Sequence, residues 1–190
     1  MRAFLSVDLS DQNIVQKIVD LQREMLAAGA DIKTVEANNL HFTIKFFGEI
    51  NDYVHSQIKD LFINIDVPQI KIKYQSLGAF PSDKNPRIIW VGVDDASAEI
   101  LSKLSNEVVK RLGDIKIGDS KPFHPHLTIA RVKSGMNRDK LQEIIKSFKN
   151  KAFGEDFIDS LKLKKSELTR NGPVYTEINR YSLKTEGEIR

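Results

Sequence analysis

The chain has 190 residues, of which 41% are hydrophobic and 29% charged, and it contains no cysteine. This fits one globular unit, or two small lobes sharing a core, and excludes disulfides, thiolate-bound zinc, iron–sulfur clusters and a cysteine nucleophile. The formal charge of +3 permits an anionic partner without demanding one, no apolar run of about 18 residues suggests a membrane helix, and the first ten residues lack the features of a secretory leader, so the expected location is the cytoplasm.

In chain order, Ala3, Leu5, Val7 and Leu9 alternate with Phe4, Ser6 and Asp8, the period of a strand. Ser10 or Asp11 then caps a helix whose stripe runs through Ile14, Val15, Ile18, Val19, Leu21, Met25 and Leu26 and stops at Gly29. A strand over 40–47 follows, then a helix opened by Asn51 or Asp52 and ended by Pro68. Ile70, Ile72 and Tyr74 alternate with Lys71 and Lys73 as a half-exposed strand. The second half predicts a strand over 87–94, a helix capped by Asp95 and closed by Gly113, a strand over 126–132 and a helix opened by Asn137. Two long strands, near 156–168 and 174–184, flank a turn at Asn171-Gly172-Pro173. Lys162, Lys164 and Lys165 read as a solvated strand face, and His55 as a solvated helical residue.

The order strand, helix, strand, helix, strand therefore occurs twice, displaced by about 85 residues. Arg2 maps onto Arg87, and Leu5-Ser6-Val7-Asp8 resembles Val91-Gly92-Val93-Asp94 after a one-residue gap. These matches are weak alone. A chemical motif repeats at the same offset: His41-Phe42-Thr43-Ile44 and His126-Leu127-Thr128-Ile129 share the pattern His-x-Thr-apolar. On a strand, residues i and i+2 face the same way, so each motif presents an imidazole beside a hydroxyl. If the halves pack about a pseudo-twofold axis, both pairs face one groove.

That pairing suits phosphodiester hydrolysis. One imidazole takes a proton from water and the other gives one to the leaving oxygen, both working near an ordinary pKa of about 6.5. Threonine hydroxyls donate to the non-bridging oxygens where charge gathers. A single strand histidine beside a threonine is commonly structural; two copies at equivalent places are hard to dismiss. Catalytic zinc usually takes three protein ligands. His124 is the one spare imidazole nearby, separated from His126 by Pro125, and no carboxylate pattern completes a set. No metal is expected, and His124 reads as a supporting residue.

Residues 39–48 (Asn39-Leu40-His41-Phe42-Thr43-Ile44-Lys45-Phe46-Phe47-Gly48) and 122–131 (Pro122-Phe123-His124-Pro125-His126-Leu127-Thr128-Ile129-Ala130-Arg131) resemble the 2H phosphoesterase superfamily, in its branch of RNA 2′,3′-cyclic phosphodiesterases, also called 2′-5′ RNA ligases. The resemblance covers essentially the whole chain, including Gly172-Pro173-Val174-Tyr175. It implies an α+β fold, bilobal and pseudo-twofold, with antiparallel sheets lining a central cleft and helices outside. The chain would form a single domain of two repeat units, approximately 1–85 and 86–190. The implied activity is metal-free hydrolysis of RNA 2′,3′-cyclic phosphate ends to 2′-phosphates, with no cofactor; tRNA fragments are a candidate RNA, the chain length suits a monomer, and no membrane partner is expected.

By residue match, the resemblance implies that His41 is the proton donor and His126 the proton acceptor. Thr43, Thr128 and Arg131 would bind phosphate, and Phe46 would stack on the terminal base. Lys45 is a reserve candidate for attracting phosphate. Strict alternation opposes two of these roles, because it places Phe46 away from His41 and Arg131 away from His126. A bulge or strand end before Gly48 and a bulge after Ile129 would resolve both. Three alternatives stay open: a small cyclic nucleotide derived from ADP-ribose as substrate, 2′-5′ end joining by the reverse reaction, and a non-catalytic RNA-binding module.

Overall fold

The computed structural model describes residues 1–113, 115, 117–118, 122–170 and 172–185. Among these residues the strands are β1 (Arg2–Asp8), β2 (Ile32–Thr34), β3 (His41–Glu49), β4 (Ile70–Ser82), β5 (Asn85–Val93), β6 (Leu127–Val132), β7 (Ala152–Ile158), β8 (Ser160–Thr169) and β9 (Gly172–Ser182). The helices are α1 (Gln12–Ala27), α2 (Asp52–Leu61), α3 (Asp95–Leu112) and α4 (Arg138–Ser147). Short polar side chains start the first three helices by accepting an orphan backbone N–H. Asp11 accepts from Ile14, Asn51 from Val54 and Asp94 from Ser97, at 2.9, 2.9 and 2.8 Å. The cap of α3 is thus Asp94, one residue before the expected Asp95. Asn137 does precede α4, but its side chain donates to the Gly29 carbonyl at 2.9 Å and ties α4 to the end of α1.

The strands form one antiparallel sheet in the order β7-β4-β5-β6-β3-β1-β8-β9, with β2 added to β6. The fold is α+β, as expected. The sheet has a seam at its centre, where β3 and β6 share the single registered pair Phe42↔Leu127. Outward from the seam the strand order exchanges segments of the chain. β4, from early in the sequence, lies between β5 and β7, whereas β8 lies beside β1. The helices cross the seam as well: α1 packs on β6 and β7, and α3 on β3 and β4. They cover the apolar face, where Phe42, Ile44, Leu127, Ile129, Tyr74 and Val91 are buried. The opposite face near the seam is left to the polar members of β3 and β6.

Four elements differ from the sequence reading, the first being α2, which ends at Leu61, well before the expected stop at Pro68. The short strand β2 was not expected; three residues carry too little pattern to show a period. The strand expected near 156–168 is two strands broken at Asp159. β4 continues past Tyr74 to Ser82, through Gly78 and Pro81. Gly78 is required there, because a Cβ at that position would lie 2.4 Å from the Trp90 ring. The β8–β9 connection falls where the turn was expected, although Asn171 lies outside the described residues. No helix among the described residues is long and apolar enough to cross a membrane.

Candidate active site

The strand faces of β3 and β6 are set by bulges. Along β1, Ser6 pairs with Thr43 and Leu5 with Lys45, so Ile44 is an extra residue in β3. Along β5, Trp90 pairs with Thr128 and Ile89 with Ala130, so Ile129 is the extra residue in β6. A one-residue bulge reverses the side-chain alternation beyond it. Phe46 and Arg131, each five residues past a histidine, are thereby returned to the histidine face. A second bulge lies at Phe47, where Ala3 pairs with Gly48 and Phe4 with Phe46, beyond Phe46 and before Gly48. The bulge in β6 sits at Ile129 itself rather than after it.

A helix side chain meets the carbonyls of Ile129 and Ile44. Buried Gln22 of α1 donates through Nε2 to the carbonyls of Ile129 and Val35, both at 2.8 Å. Ser105 of α3 donates to the Ile44 carbonyl at 3.4 Å. The Ile129 carbonyl also accepts the Val35 N–H at 2.8 Å, fastening β2 against the bulge.

Both histidines are held in the same way. His41 Nδ1 lies 2.6 Å from the Asn39 carbonyl and His126 Nδ1 lies 2.6 Å from the His124 carbonyl. A carbonyl can only accept, so in each neutral ring Nδ1 carries the proton and Nε2 has the free lone pair. His124 therefore serves His126 through its backbone. The surroundings of the two rings differ. His41 stacks on buried Phe4 with centroids 5.1 Å apart and meets the edge of Tyr175 at 5.3 Å. His126 meets only the edge of Phe80, at 5.0 Å, among the described rings. Burial pushes the His41 pKa down to about 4, the Asn39 carbonyl pulling the other way. Burial also lowers that of His126, and the charges of His124 and Arg131 act in the same direction.

Two cavities meet at the imidazoles. The larger, about 940 Å³, contains His41, Thr43, His126 and Arg131 together with Phe46, Phe80 and Tyr175. The smaller, about 280 Å³, adds Thr128 and is walled by Lys33, Thr34 and Glu36 beyond the histidines. All six site residues expected from sequence thus border one connected space, and Lys45 borders the larger cavity. Arg131 is exposed and has no ion pair among the described residues. Phe46 is half-buried, carries the Arg2 guanidinium 4.9 Å from its ring centroid and is not part of the core. No group of three or more His, Cys, Asp or Glu side chains among the described residues is placed to hold a metal ion.

Two readings of charged and titratable residues are corrected. Lys162 and Lys164 are not a solvated face: Lys164 is 6% exposed, and both donate to Asp8, at 2.9 Å and at 2.7 and 2.8 Å. They share a face with Asp8 because β8 runs beside β1. Burial alone would raise the Asp8 carboxyl, but the hydrogen bonds and charges of Lys164 and Lys162 outweigh it and hold it below its ordinary value. His55 is half-buried, and its Nε2 is enclosed without a hydrogen-bond partner among the described residues; it lies next to the apolar stripe of Val54 and Ile58. Sequence reasoning missed Phe4, Phe80 and Tyr175 as walls of the site. Tyr175 carried a signal in the Gly172-Pro173-Val174-Tyr175 resemblance; Phe80 lay beyond the alternation that ends at Tyr74, in a stretch the sequence reading left unassigned.

The chain is similar to known proteins over most of its length. The chain is 36% identical over 181 residues to the RNA 2′,3′-cyclic phosphodiesterase of Methanocaldococcus jannaschii, covering 95% of this chain and 100% of that protein. It is 34% identical over 187 residues to the protein of the same description from Methanothermobacter thermautotrophicus, covering 96% and 99%. Among solved structures, TT0787 of Thermus thermophilus superposes with a TM-score of 0.75 at 27% identity, covering 98% of this chain and 100% of that one. LigT of Escherichia coli in apo form shares the fold, with a TM-score of 0.74 at 23% identity and 96% of each chain covered. Residues 3–183 match the family described as the AKAP7 2′5′ RNA ligase-like domain, and with that coverage the chain belongs to this family, within the 2H phosphoesterase superfamily.

Proposed function

We propose that the protein hydrolyses RNA 2′,3′-cyclic phosphate ends to 2′-phosphates by general acid–base catalysis between His41 and His126. One observation carries the reading: two imidazoles, each fixed through Nδ1 by the carbonyl two residues upstream, border the same cavities with Nε2 as their remaining nitrogen. The relatives named above supply the substrate class. His126 Nε2 takes a proton from water as the water oxygen bonds to phosphorus. The bond from phosphorus to O3′ breaks on the opposite side, and His41, protonated at Nε2, gives its proton to O3′. The products are a 2′-phosphate and a 3′-hydroxyl. Thr43 and Thr128 donate to the non-bridging oxygens. Arg131 adds a planar fork of donors matched to phosphate, and Phe46 stacks on the terminal base.

His41 is neutral at pH 7 in the free protein, because burial holds its pKa near 4. The phosphodiester anion supplies the missing counter-charge, so substrate binding favours the protonated donor. In this reading the half-sites belong to repeat units of approximately 1–85 and 86–190, which the shared offsets and bulges support. The reading also takes the protein to be a cytoplasmic monomer that acts on RNA pieces, tRNA fragments among them; light scattering and assays on such fragments test these points. The central experiment is single-turnover hydrolysis of an oligonucleotide ending in a 2′,3′-cyclic phosphate, with chelator present. A 2′-phosphate product formed at an undiminished rate supports the metal-free mechanism. Loss of rate in chelator, restored by zinc or manganese, would overturn it.

A further inference from the structure

The larger cavity holds more positive charge than one terminal phosphate uses. Arg2, Lys45 and Arg131 line it, and no Asp or Glu does among the described residues. Arg131 lies near His126, whose pKa its charge helps to lower. Arg2 lies elsewhere, over the Phe46 ring. The charges of Arg2 and Arg131 both act on the Tyr175 phenol, and the Tyr175 ring touches His41. Arg2 stands on the His41 side of the cavity because it lies two residues from Phe4 on β1; both line the cavity, and the Phe4 ring stacks on His41.

Resting on the reading above, we propose that Arg2 binds the phosphate on the 5′ side of the terminal nucleotide, so that the protein recognises the end of an oligonucleotide by two phosphates. With the cyclic phosphate at the imidazoles and the base on Phe46, the ribose lies against His41. In the proposed arrangement its 5′ oxygen is directed toward Arg2, which borders the same cavity at the start of β1. Arg2 is held in place there. Its backbone pairs with Glu49, the preceding amino group donates to the Ile50 carbonyl at 2.6 Å, and its guanidinium rests on an aromatic face. It has no ion pair among the described residues. Stacking uses the face of a guanidinium and leaves its in-plane N–H groups available for a bidentate phosphate contact. A base sandwiched between Arg2 and Phe46 is the competing use of this residue, and the same experiment distinguishes the two.

The test compares adenosine 2′,3′-cyclic phosphate carrying a 5′-hydroxyl with the same molecule carrying a 5′-phosphate, by kcat/KM. Calorimetry of adenosine 2′-monophosphate and adenosine 2′,5′-bisphosphate gives the same comparison without catalysis. The expected preference for the 5′-phosphate is on the order of 10- to 100-fold in both measurements, the range of charged hydrogen bonds. Arg2→Gln should reduce it to within about threefold, and Arg2→Lys should keep part of it as a point charge. No preference in the unaltered protein, or a preference that Arg2→Gln leaves intact, overturns the proposal. Equal losses on both ligands of a pair assign Arg2 to base stacking and overturn it as well. The failure of the activity reads differently: no hydrolysis of either substrate, with the bisphosphate preference present and sensitive to Arg2, rejects the phosphodiesterase and keeps the second phosphate site.

Discussion

Three residues beyond each histidine the backbone makes the same change of register, and two residues later it presents a different side chain, Phe46 in one half-site and Arg131 in the other. The bulged residue, Ile44 or Ile129, stands at the same offset, its carbonyl meets a helix side chain, and each Nδ1 rests on the carbonyl two residues back. What differs is the lining. His41 is enclosed by Phe4 and Tyr175, with the Asp8 and Lys164 pair nearby; His126 has Phe80 at its edge and a guanidinium close by. Arg87, which maps onto Arg2 in sequence, is exposed and does not line either cavity. A repeated backbone thus places two like groups among unlike neighbours, and in the proposed reading those neighbours divide their work. In that reading one side is assigned to the nucleoside and the other to phosphate and water.

The division is broken most severely at the imidazoles. His41→Ala and His126→Ala should each lower the rate of the chemical step by about 10²–10⁴-fold. A substrate with sulfur in place of the 3′ oxygen has a leaving group that needs no proton, so it should restore His41→Ala and leave His126→Ala slow. Rescue of His126→Ala instead would exchange the two roles. Equal rescue of both, or of neither, would mean that they do not divide the work.

The paired positions come next. Arg131→Lys should raise the barrier by about 2–4 kcal/mol, seen in kcat, because lysine offers a point charge where a planar fork is proposed. Phe46→Ala should cost about 1–3 kcal/mol, seen mainly in KM. If the Phe46 change acts on kcat and spares KM, Phe46 is not a base platform.

The supports of the bulges should separate more gently. Gln22→Leu removes a buried donor shared by two carbonyls and should destabilise the fold by about 1–3 kcal/mol by denaturant titration, whereas Ser105→Ala removes one long contact and should cost under about 1 kcal/mol. The activity lost with Gln22→Leu should resemble that of Arg131 variants, since the Ile129 bulge sets the Arg131 face.

The smallest effect is on pH. With His126 neutral and His41 protonated as the active form, kcat/KM follows a bell whose centre is the mean of the two free-enzyme values. Both are lowered, so the optimum should fall on the acid side of 6.5, and that of kcat, measured with phosphate bound, should lie higher. Nuclear magnetic resonance titration of His41 should show the same upward movement on adding inorganic phosphate. Stability follows the sign of the same shift. As pH falls from 6.5 toward 4, the unfolded chain takes up the His41 proton before the folded one does, so the fold should weaken across that window.

Both His-x-Thr pairs were legible because identity, spacing and strand period all pointed to one face. Phe46 and Arg131 needed the bulges, which one extra residue creates and which leave no compositional mark at Ile44 or Ile129. The aromatic walls depended on long-range pairing. Phe80 reaches His126 because β4 pairs with β5, and Tyr175 reaches His41 because β8 and β9 lie on the outer side of β1. No local pattern reports such pairings. The buried Asp8 and Lys164 pair was hidden for the same reason, since an alternating lysine reads as solvated until its neighbour strand is known.

The exchanged strands impose an order on biosynthesis. During synthesis His41 and its strand are made early, but the lysines that meet Asp8 lie 154 and 156 residues downstream of it, and Tyr175 follows them. Contacts so distant in sequence form late, because the intervening chain must first be made and then closed into a loop. A nascent chain released before Ser160 would contain both motifs, Phe46, Arg131 and most of the core, yet β1 would keep a bare edge and His41 would lack one of its aromatic walls. That edge is the element most exposed to mispairing with other chains. In an interrupted synthesis the first consequence would be aggregation through β1, and the cleft would be assembled only in chains that had been carried through β9.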